Sequence, residues 1–254
     1  FNYLTKMCLT VMREACFRMI AAAKARGCKV TVSSSDSTDH SADYLAHGAD
    51  AVILGEGEMT LRELVDRWST GAAWNEVAGI AYRLGDEVRT TSKRPILRDL
   101  DALPLPAWDL IDVSPYRDIW MASQGFFSLN VATTRGCPFK CTYCAEPQRG
   151  TSWSHYSVAD ALAILDGLTK THAPRVIAFA DPLFGASRQW TEALVDGILE
   201  RRLPNQFWCE TRADVMTPQL LDKLRACNFK VDFGLDTGSE TMARRMVKSP
   251  VPGT

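Results

Sequence analysis

From Phe127 onward, short apolar runs alternate with longer segments of helical period, and this alternation restricts the fold more than any other feature of the chain. Apolar character predicts strands over Phe127–Thr133, Arg175–Ala180, Gln206–Glu210 and Lys230–Asp236. Between them Val158, Leu162, Leu165 and Leu168, then Trp190, Leu194, Val195, Ile198 and Leu199, then Leu221, Leu224 and Cys227 recur as on one face of a helix. Thr217 before Pro218 reads as an N-cap with proline at the first helical position, and another helix opens near Ser239. Strand–helix units in series wind right-handedly into a parallel sheet, here an incomplete (β/α) barrel. In such a sheet the functional side chains gather where the strands end.

The N-terminal part has the same α/β character in a different arrangement. Met12, Cys16, Met19, Ile20 and Ala23 mark an amphipathic helix stopped by Gly27, and Lys29–Ser33 reads as a strand leading into a serine-rich loop, residues 33–38. A helix over Ser41–His47, a strand over Ala51–Leu54, the turn Gly55-Glu56-Gly57-Glu58 and a helix carrying Leu61, Leu64, Val65 and Trp68 follow. That order predicts a parallel sheet with helices packed on it, the serine loop and the Gly-Glu-Gly turn lying beyond its carboxyl edge. A hairpin is expected between Gly79–Arg83 and Glu87–Thr90. Pro95, Pro104, Pro106 and Pro115 argue against a long regular element in the next stretch, while Leu97, Leu100, Leu103, Leu105, Trp108, Leu110 and Ile111 are too apolar for a free tether. The expected division is therefore a first domain over 1–92, a packed proline-rich linker over 93–125 and a second domain over 126–254.

The 254 residues, 46% hydrophobic and 23% charged, suffice for a sizeable core. A net charge of -1 provides no field to draw a polyanion or an anionic membrane surface, so neither nucleic acid nor membrane is expected as a partner. Lys6 and Arg13 interrupt the N-terminal segment where a signal peptide needs its apolar stretch. Eight cysteines without regular pairing fit a reducing compartment, with the cytoplasm as default. The chain opens on Phe1 and stops at Thr254 soon after a strand–turn–helix pattern, and is expected to be part of a longer protein.

The chemistry concentrates at the outlet of the strand at Phe127–Thr133. Cys137, Cys141 and Cys144 fall within eight positions on a loop broken by Gly136 and Pro138, with Thr134-Arg135 before it and Tyr143 ahead of the last cysteine. Structural zinc takes four protein ligands, often two Cys-x-x-Cys pairs, and a second pair is missing. A cubane iron–sulfur cluster on three cysteines leaves one iron open. Two other readings remain at this level: a zinc knuckle completed by His155, and buried thiols with a bystander.

The Thr-Arg-Gly-Cys-x-x-x-Cys-x-Tyr-Cys loop resembles that of the radical S-adenosylmethionine (radical SAM) superfamily. The resemblance implies a 4Fe-4S cluster on Cys137, Cys141 and Cys144, with SAM chelated at the open iron and cleaved to a 5'-deoxyadenosyl radical. It also implies a core of six strand–helix units, of which the sequence shows four. Asp181, in Phe179-Ala180-Asp181-Pro182-Leu183, stands where relatives bind the SAM amino group; at the end of the next strand Glu210 offers a carboxylate for the ribose hydroxyls and Arg212 a two-pronged clamp for the SAM carboxylate. Tyr143 and Asp236, the latter in a Gly-Leu-Asp-Thr-Gly-Ser segment, complete the SAM-site expectation, and Arg149 and His155 are further candidates for contact with SAM or substrate.

Upstream, Ala49–Glu58 is similar to the end of the cobalamin-binding domain of cobalamin-dependent radical SAM proteins, which assigns Ser33, Ser35, Gly55, Glu56 and Gly57 to cobalamin. The Asp-x-His-x-x-Gly signature of some cobalamin proteins is absent, and His40 and His47 read as loop and helix-end residues. The fold implied is a partial Rossmann-like cobalamin-binding-type domain followed by an incomplete radical SAM barrel. The function implied is cobalamin-dependent methyl transfer to an unactivated carbon of a small molecule, or a related cyclase or oxidoreductase step, with a flavodoxin or ferredoxin as reductant. The alternatives are a methylthiotransferase, which would need three further N-terminal cysteines, and a non-catalytic zinc or iron–sulfur module. Cys8, Cys16, Cys28, Cys209 and Cys227 read as residues of helix faces, strand starts or the core.

Overall fold

The computed structural model describes residues 9–144 and 152–248; Cys8 and Arg149 lie outside them. The chain divides into two compact units at Ile96/Leu97.

The first unit contains α1 (Leu9–Lys24), β1 (Thr31–Ser33), α2 (Ser35–Asp39), α3 (Ser41–Ala46), β2 (Ala51–Ile53), α4 (Glu58–Thr70), β3 (Ile80–Leu84) and β4 (Glu87–Thr90). Its sheet runs β1-β2-β3-β4. Only β1 and β2 are parallel, with Ser33 opposite Ile53; the hairpin of β3 and β4 continues the sheet antiparallel on the β2 side. The parallel pairing expected from the sequence is present, and the expected hairpin extends it into a mixed sheet by pairing through its first strand. Both faces are covered: Ile20, Val32, Tyr44 and Val52 form one core, and Ile53, Leu64, Val77 and Ile80 the other.

The serine stretch departs from the loop expected. Ser34 adopts an extended conformation and its Oγ accepts from Ser37 N–H at 2.9 Å, which caps a helical turn beginning at Ser35. Asp36 is buried on that turn, where Arg13 Nε and Nη2 donate to its carboxylate at 2.9 and 2.5 Å and the Tyr44 hydroxyl donates at 2.5 Å.

The second unit contains α5 (Ser114–Gln124), β5 (Ser128–Val131), β6 (Thr134–Arg135), β7 (Ser154–His155), α6 (Val158–His172), β8 (Val176–Phe179), α7 (Arg188–Arg201), β9 (Gln206–Thr211), α8 (Pro218–Ala226), β10 (Phe229–Phe233) and α9 (Glu240–Arg245). The proline-rich stretch therefore does hold a regular helix, because Pro115 falls in the first turn of α5, where its missing N–H costs nothing. Leu100 is buried in the second unit's core, with Leu97, Leu103 and Trp108 packed against it.

Strands β5, β8, β9 and β10 lie side by side and all parallel, as an open sheet. The core beneath one face joins Leu165, Ile177, Leu194, Phe207 and Leu224, with rings of Phe179, Phe184, Phe207 and Phe229 in mutual contact. Along β9 burial alternates, so Phe207, Cys209 and Thr211 face the helices while Trp208 and Glu210 are exposed on the other face. Glu210 pairs in register with Asp232 of β10. The polar face of the sheet and the loops at its carboxyl edge frame the candidate site.

Candidate functional site

The cysteine loop leaves the sheet through a buried polar anchor. Asp181, just beyond β8, accepts from Thr133 N–H at 2.6 Å and Thr134 N–H at 2.9 Å with Oδ1, and from the Thr133 hydroxyl at 2.6 Å with Oδ2. Burial pushes this carboxyl above its ordinary range, and the three donors act against that rise. Asp181 is not among the residues lining the cleft described below, and its contacts hold the root of the loop. Strand β6 then pairs antiparallel with β7. At Gly136 the backbone takes φ +74°, with the Ser152 carbonyl pressed against the bare α-carbon.

Cys137, Cys141 and Cys144 all face one cavity of about 290 Å³, walled by Phe139, Tyr143, Glu210, Arg212, Asp232, Gly234, Asp236 and Lys248 among others. Cys144 N–H donates to the Cys141 carbonyl at 3.2 Å, and Thr142 N–H to the Met246 carbonyl at 3.1 Å, which ties the loop to the end of α9. Burial pushes the Cys137 thiol up, with the Phe139 N–H opposing. The thiols share a cavity without converging on a point: among the described residues no three His, Cys, Asp or Glu side chains are placed to hold a single ion. Zinc–sulfur bonds of about 2.3 Å in a tetrahedron require sulfurs roughly 4 Å apart. A cubane instead distributes its thiolates over separate irons. Three thiols with no fourth cysteine and no histidine among the described residues of the cavity wall fit a cluster that keeps one iron open. His155 also fails to complete a knuckle, since it is not part of the cavity wall; its Nδ1 lies 2.7 Å from the Tyr156 carbonyl, which accepts a hydrogen bond.

Arg212 is buried beside the loop. Its Nε and Nη2 donate to Asp214 at 2.8 and 2.6 Å, its Nη1 faces Cys141 Sγ at 3.3 Å, and its guanidinium lies 4.1 Å from the centre of the Phe139 ring. The Asp214 hydrogen bond holds the Arg212 pKa above its usual value. The fork expected to clamp a carboxylate is therefore closed on a carboxylate of the chain itself.

On the opposite wall Tyr143 Oη donates to Asp236 Oδ2 at 2.6 Å, and Lys248 Nζ bonds the same oxygen, the Gly234 carbonyl at 2.6 Å and Tyr143 Oη at 3.3 Å. Asp236 holds φ +57° and Val247 φ +53°, left-handed conformations that non-glycine residues adopt at some cost. Burial, then the neighbouring Arg212 charge, lowers the Lys248 pKa. Sequence reasoning missed Lys248, Phe139 and Asp214. A carboxylate two positions after Arg212 was a readable sign of the last, whereas nothing local to Lys248 signals its return to the cleft.

In the first unit, Ser33 ends β1 and the Gly55–Gly57 turn follows β2, so these residues meet at one edge. A β-carbon on Gly57 would stand 3.7 Å from Ser33 Oγ, and Gly55 holds φ +91°. Ser35 belongs to α2, one residue beyond its cap. Hydroxyls and a glycine-lined turn at a carboxyl edge are compatible with a nucleotide-tailed ligand.

The remaining described thiols stand apart from this chemistry. Cys209 and Cys227 are buried and pushed up to about 12 and about 11 by that burial; Cys16 is buried and Cys28 exposed. No described helix is long and apolar enough to cross a membrane.

Residues 131–251 match the radical SAM superfamily. The chain is 28% identical over 206 residues, 80% of its length, to an uncharacterized methyltransferase from Pyrococcus horikoshii, and spans 44% of that relative. The cobalamin-dependent radical SAM enzyme OxsB, solved with aqua-cobalamin and SAM bound, superposes with TM-score 0.77 at 22% identity, covering 100% of this chain and 37% of OxsB. The radical SAM methyltransferase TsrM from Kitasatospora setae, solved with cobalamin and a 4Fe-4S cluster, gives TM-score 0.75 at 18% identity over 93% of this chain and 48% of its own.

Proposed function

Residues 131–251 carry a radical SAM domain, and from that premise we propose that the chain is part of a cobalamin-dependent radical SAM enzyme that transfers a methyl group to an unactivated carbon of a small molecule. The observation supporting it most directly is the gathering of Cys137, Cys141 and Cys144 with Glu210, Tyr143 and Asp236 around one cleft at the carboxyl ends of parallel strands. When bound, the cluster and SAM supply a 5'-deoxyadenosyl radical and cobalamin a methyl carrier. The chain's own residues hold and orient. The three thiols take the cluster, Glu210 faces the cleft as acceptor for sugar hydroxyls, and the Tyr143–Asp236 pair forms the wall beside them. Arg212 supplies positive charge next to Cys141, and Asp181 fixes the root of the loop. Ser33, Ser35, Gly55, Glu56 and Gly57 are assigned to cobalamin at the edge of the first sheet.

Among the described residues of the first unit the methylthiotransferase reading gains no support: Cys16 is buried in a hydrophobic core and Cys28 is exposed. Anaerobic purification and metal analysis test the proposal, with about four irons and no zinc per chain expected. SAM cleavage under a flavodoxin- or ferredoxin-class reductant and a cobalamin spectrum on titration complete it. Stoichiometric zinc without SAM cleavage overturns the enzyme reading, and iron with SAM cleavage but no cobalamin spectrum overturns the cobalamin half alone.

A further inference from the structure

We infer that Arg212 is a tuning residue for the metal centre, acting through the sulfur of Cys141, and that Asp214 sets the strength of its effect. The inference rests on the proposed cluster at Cys137, Cys141 and Cys144. Every face of the guanidinium is already committed. Nε and Nη2 form the paired bonds to Asp214, Nη1 points at Cys141 Sγ, and the flat face stacks on Phe139. A residue waiting to clamp an incoming carboxylate would keep its two-pronged edge free, since paired parallel hydrogen bonds give arginine its value at such sites. Here that edge faces a residue two positions along the same chain, on a turn that follows β9 directly.

What remains available is the Nη1–H···S contact of 3.3 Å, within reach of a sulfur acceptor. Arg212 is only 7% exposed, so this hydrogen bond and its positive charge act in a medium that screens them weakly. Hydrogen bonds to cluster sulfurs and nearby charge are among the factors that set the potential of an iron–sulfur centre. Reduction adds one negative charge to the centre. A cationic donor on a ligand sulfur stabilises that reduced form more than the oxidised form, so Arg212 raises the potential at which the centre accepts its electron. Asp214 offsets part of the guanidinium charge and moderates the rise. Phe139, itself within the cysteine loop, supplies the ring against which the guanidinium lies and so helps to aim Nη1.

The test compares the anaerobically reconstituted full chain with R212M, R212K and D214N in an electron paramagnetic resonance redox titration without SAM, iron content being measured on each sample. R212M is expected to retain its iron and shift the midpoint potential downward, R212K to recover part of that shift, and D214N to move it upward. Opposite signs for the two partners of one ion pair distinguish tuning from a general loosening of the site, which would move both the same way. An unchanged potential in iron-replete R212M overturns the inference, and so does a tenfold or greater loss of SAM affinity in R212M without a potential shift, which would return Arg212 to the role of carboxylate clamp. If R212M fails to retain iron, D214N decides alone: an upward shift supports the inference, and no shift or a downward one overturns it. A wild-type chain without a reducible cluster refutes the proposed function itself, an outcome separate from any of these.

Discussion

Gly136 has no room for a side chain. A β-carbon there would lie 2.0 Å from the Ser152 carbonyl oxygen, and the residue holds φ +74°. The left-handed backbone alone costs a non-glycine residue about 1–2 kcal/mol, and forcing β6 and β7 apart adds about 1–3 kcal/mol. Gly136→Ala is therefore expected to destabilise by roughly 2–5 kcal/mol and to lower the iron retained after reconstitution, read by denaturation midpoint and iron analysis. Asp181 makes a pH prediction. Burial raises its carboxyl pKa, so between the ordinary and the raised value the folded state holds a proton that the unfolded chain has released. Stability then falls as pH rises through that window. Asp181→Asn keeps an acceptor for both backbone N–H groups and has no proton to lose. Its stability relative to wild type should improve across the window, whereas Asp181→Ala, which leaves three buried donors unmatched, should cost at least about 2 kcal/mol. Denaturation curves at several pH values decide this, and parallel curves for wild type and Asp181→Asn would contradict it. That the cysteines, Glu210 and Asp236 share one cleft was readable, the cysteines from their spacing and the carboxylates from their places at strand ends in a parallel sheet. The actual partners of Arg212 and Asp181 were not, since the sequence shows which side chains stand at a strand end but not whether the chain satisfies them first.

Among elements, the long apolar repeats were the easiest to read. The helices through Leu162 and Leu194 and the Thr217 cap appear as expected, Thr217 Oγ1 accepting from Leu220 N–H at 3.2 Å. Short elements were harder. A serine run can solvate a loop or cap a turn with equal composition, and Ser34 caps one. Proline bars a helix interior but not its first turn, which is how α5 escaped notice. The packing of α6 on α7 offers an element-scale prediction. Gly197 faces Leu162, and a β-carbon there would stand 2.4 Å from Leu162 Cδ1. Alanine would gain about 1 kcal/mol of helix propensity but overpack a filled core at about 1–3 kcal/mol. Because Leu162 is 4% exposed and enclosed by α6, α7 and the sheet, it has little space to retreat. Gly197→Ala is expected to destabilise by about 1 kcal/mol net, and the double variant with Leu162→Ala should lose less stability than the sum of the two single changes. A stabilised Gly197→Ala protein would show that α7 can slide.

At the scale of the whole molecule, the residues proposed to do the chemistry and the residues that hold the fold are separate sets. No member of the described hydrophobic cores lies between Gly136 and Cys144; those cores are built from strands and the helices packed on them, on both faces of the first sheet and on one face of the second. A small metallo-domain that lacks a core unfolds without its metal, because ligand binding supplies its folding free energy. This chain has a core of 22 buried residues in its second unit alone. The three cysteines replaced together by serine should therefore leave far-ultraviolet circular dichroism and cooperative thermal unfolding in place while abolishing iron uptake. The loop itself should respond. Its ties to α9 and its flanks, from Thr142 N–H to the Met246 carbonyl and from Tyr143 to Asp236 and Lys248, are few hydrogen bonds beside an emptied site, so amide exchange at 136–144 should accelerate while the amides of β8 and β9 keep their protection. Collapse of the β8–β9 protection along with the loop would mean that the cluster site carries part of the fold. Retained protection would show that the open parallel sheet is stable without its metal and that the metal orders the loop alone.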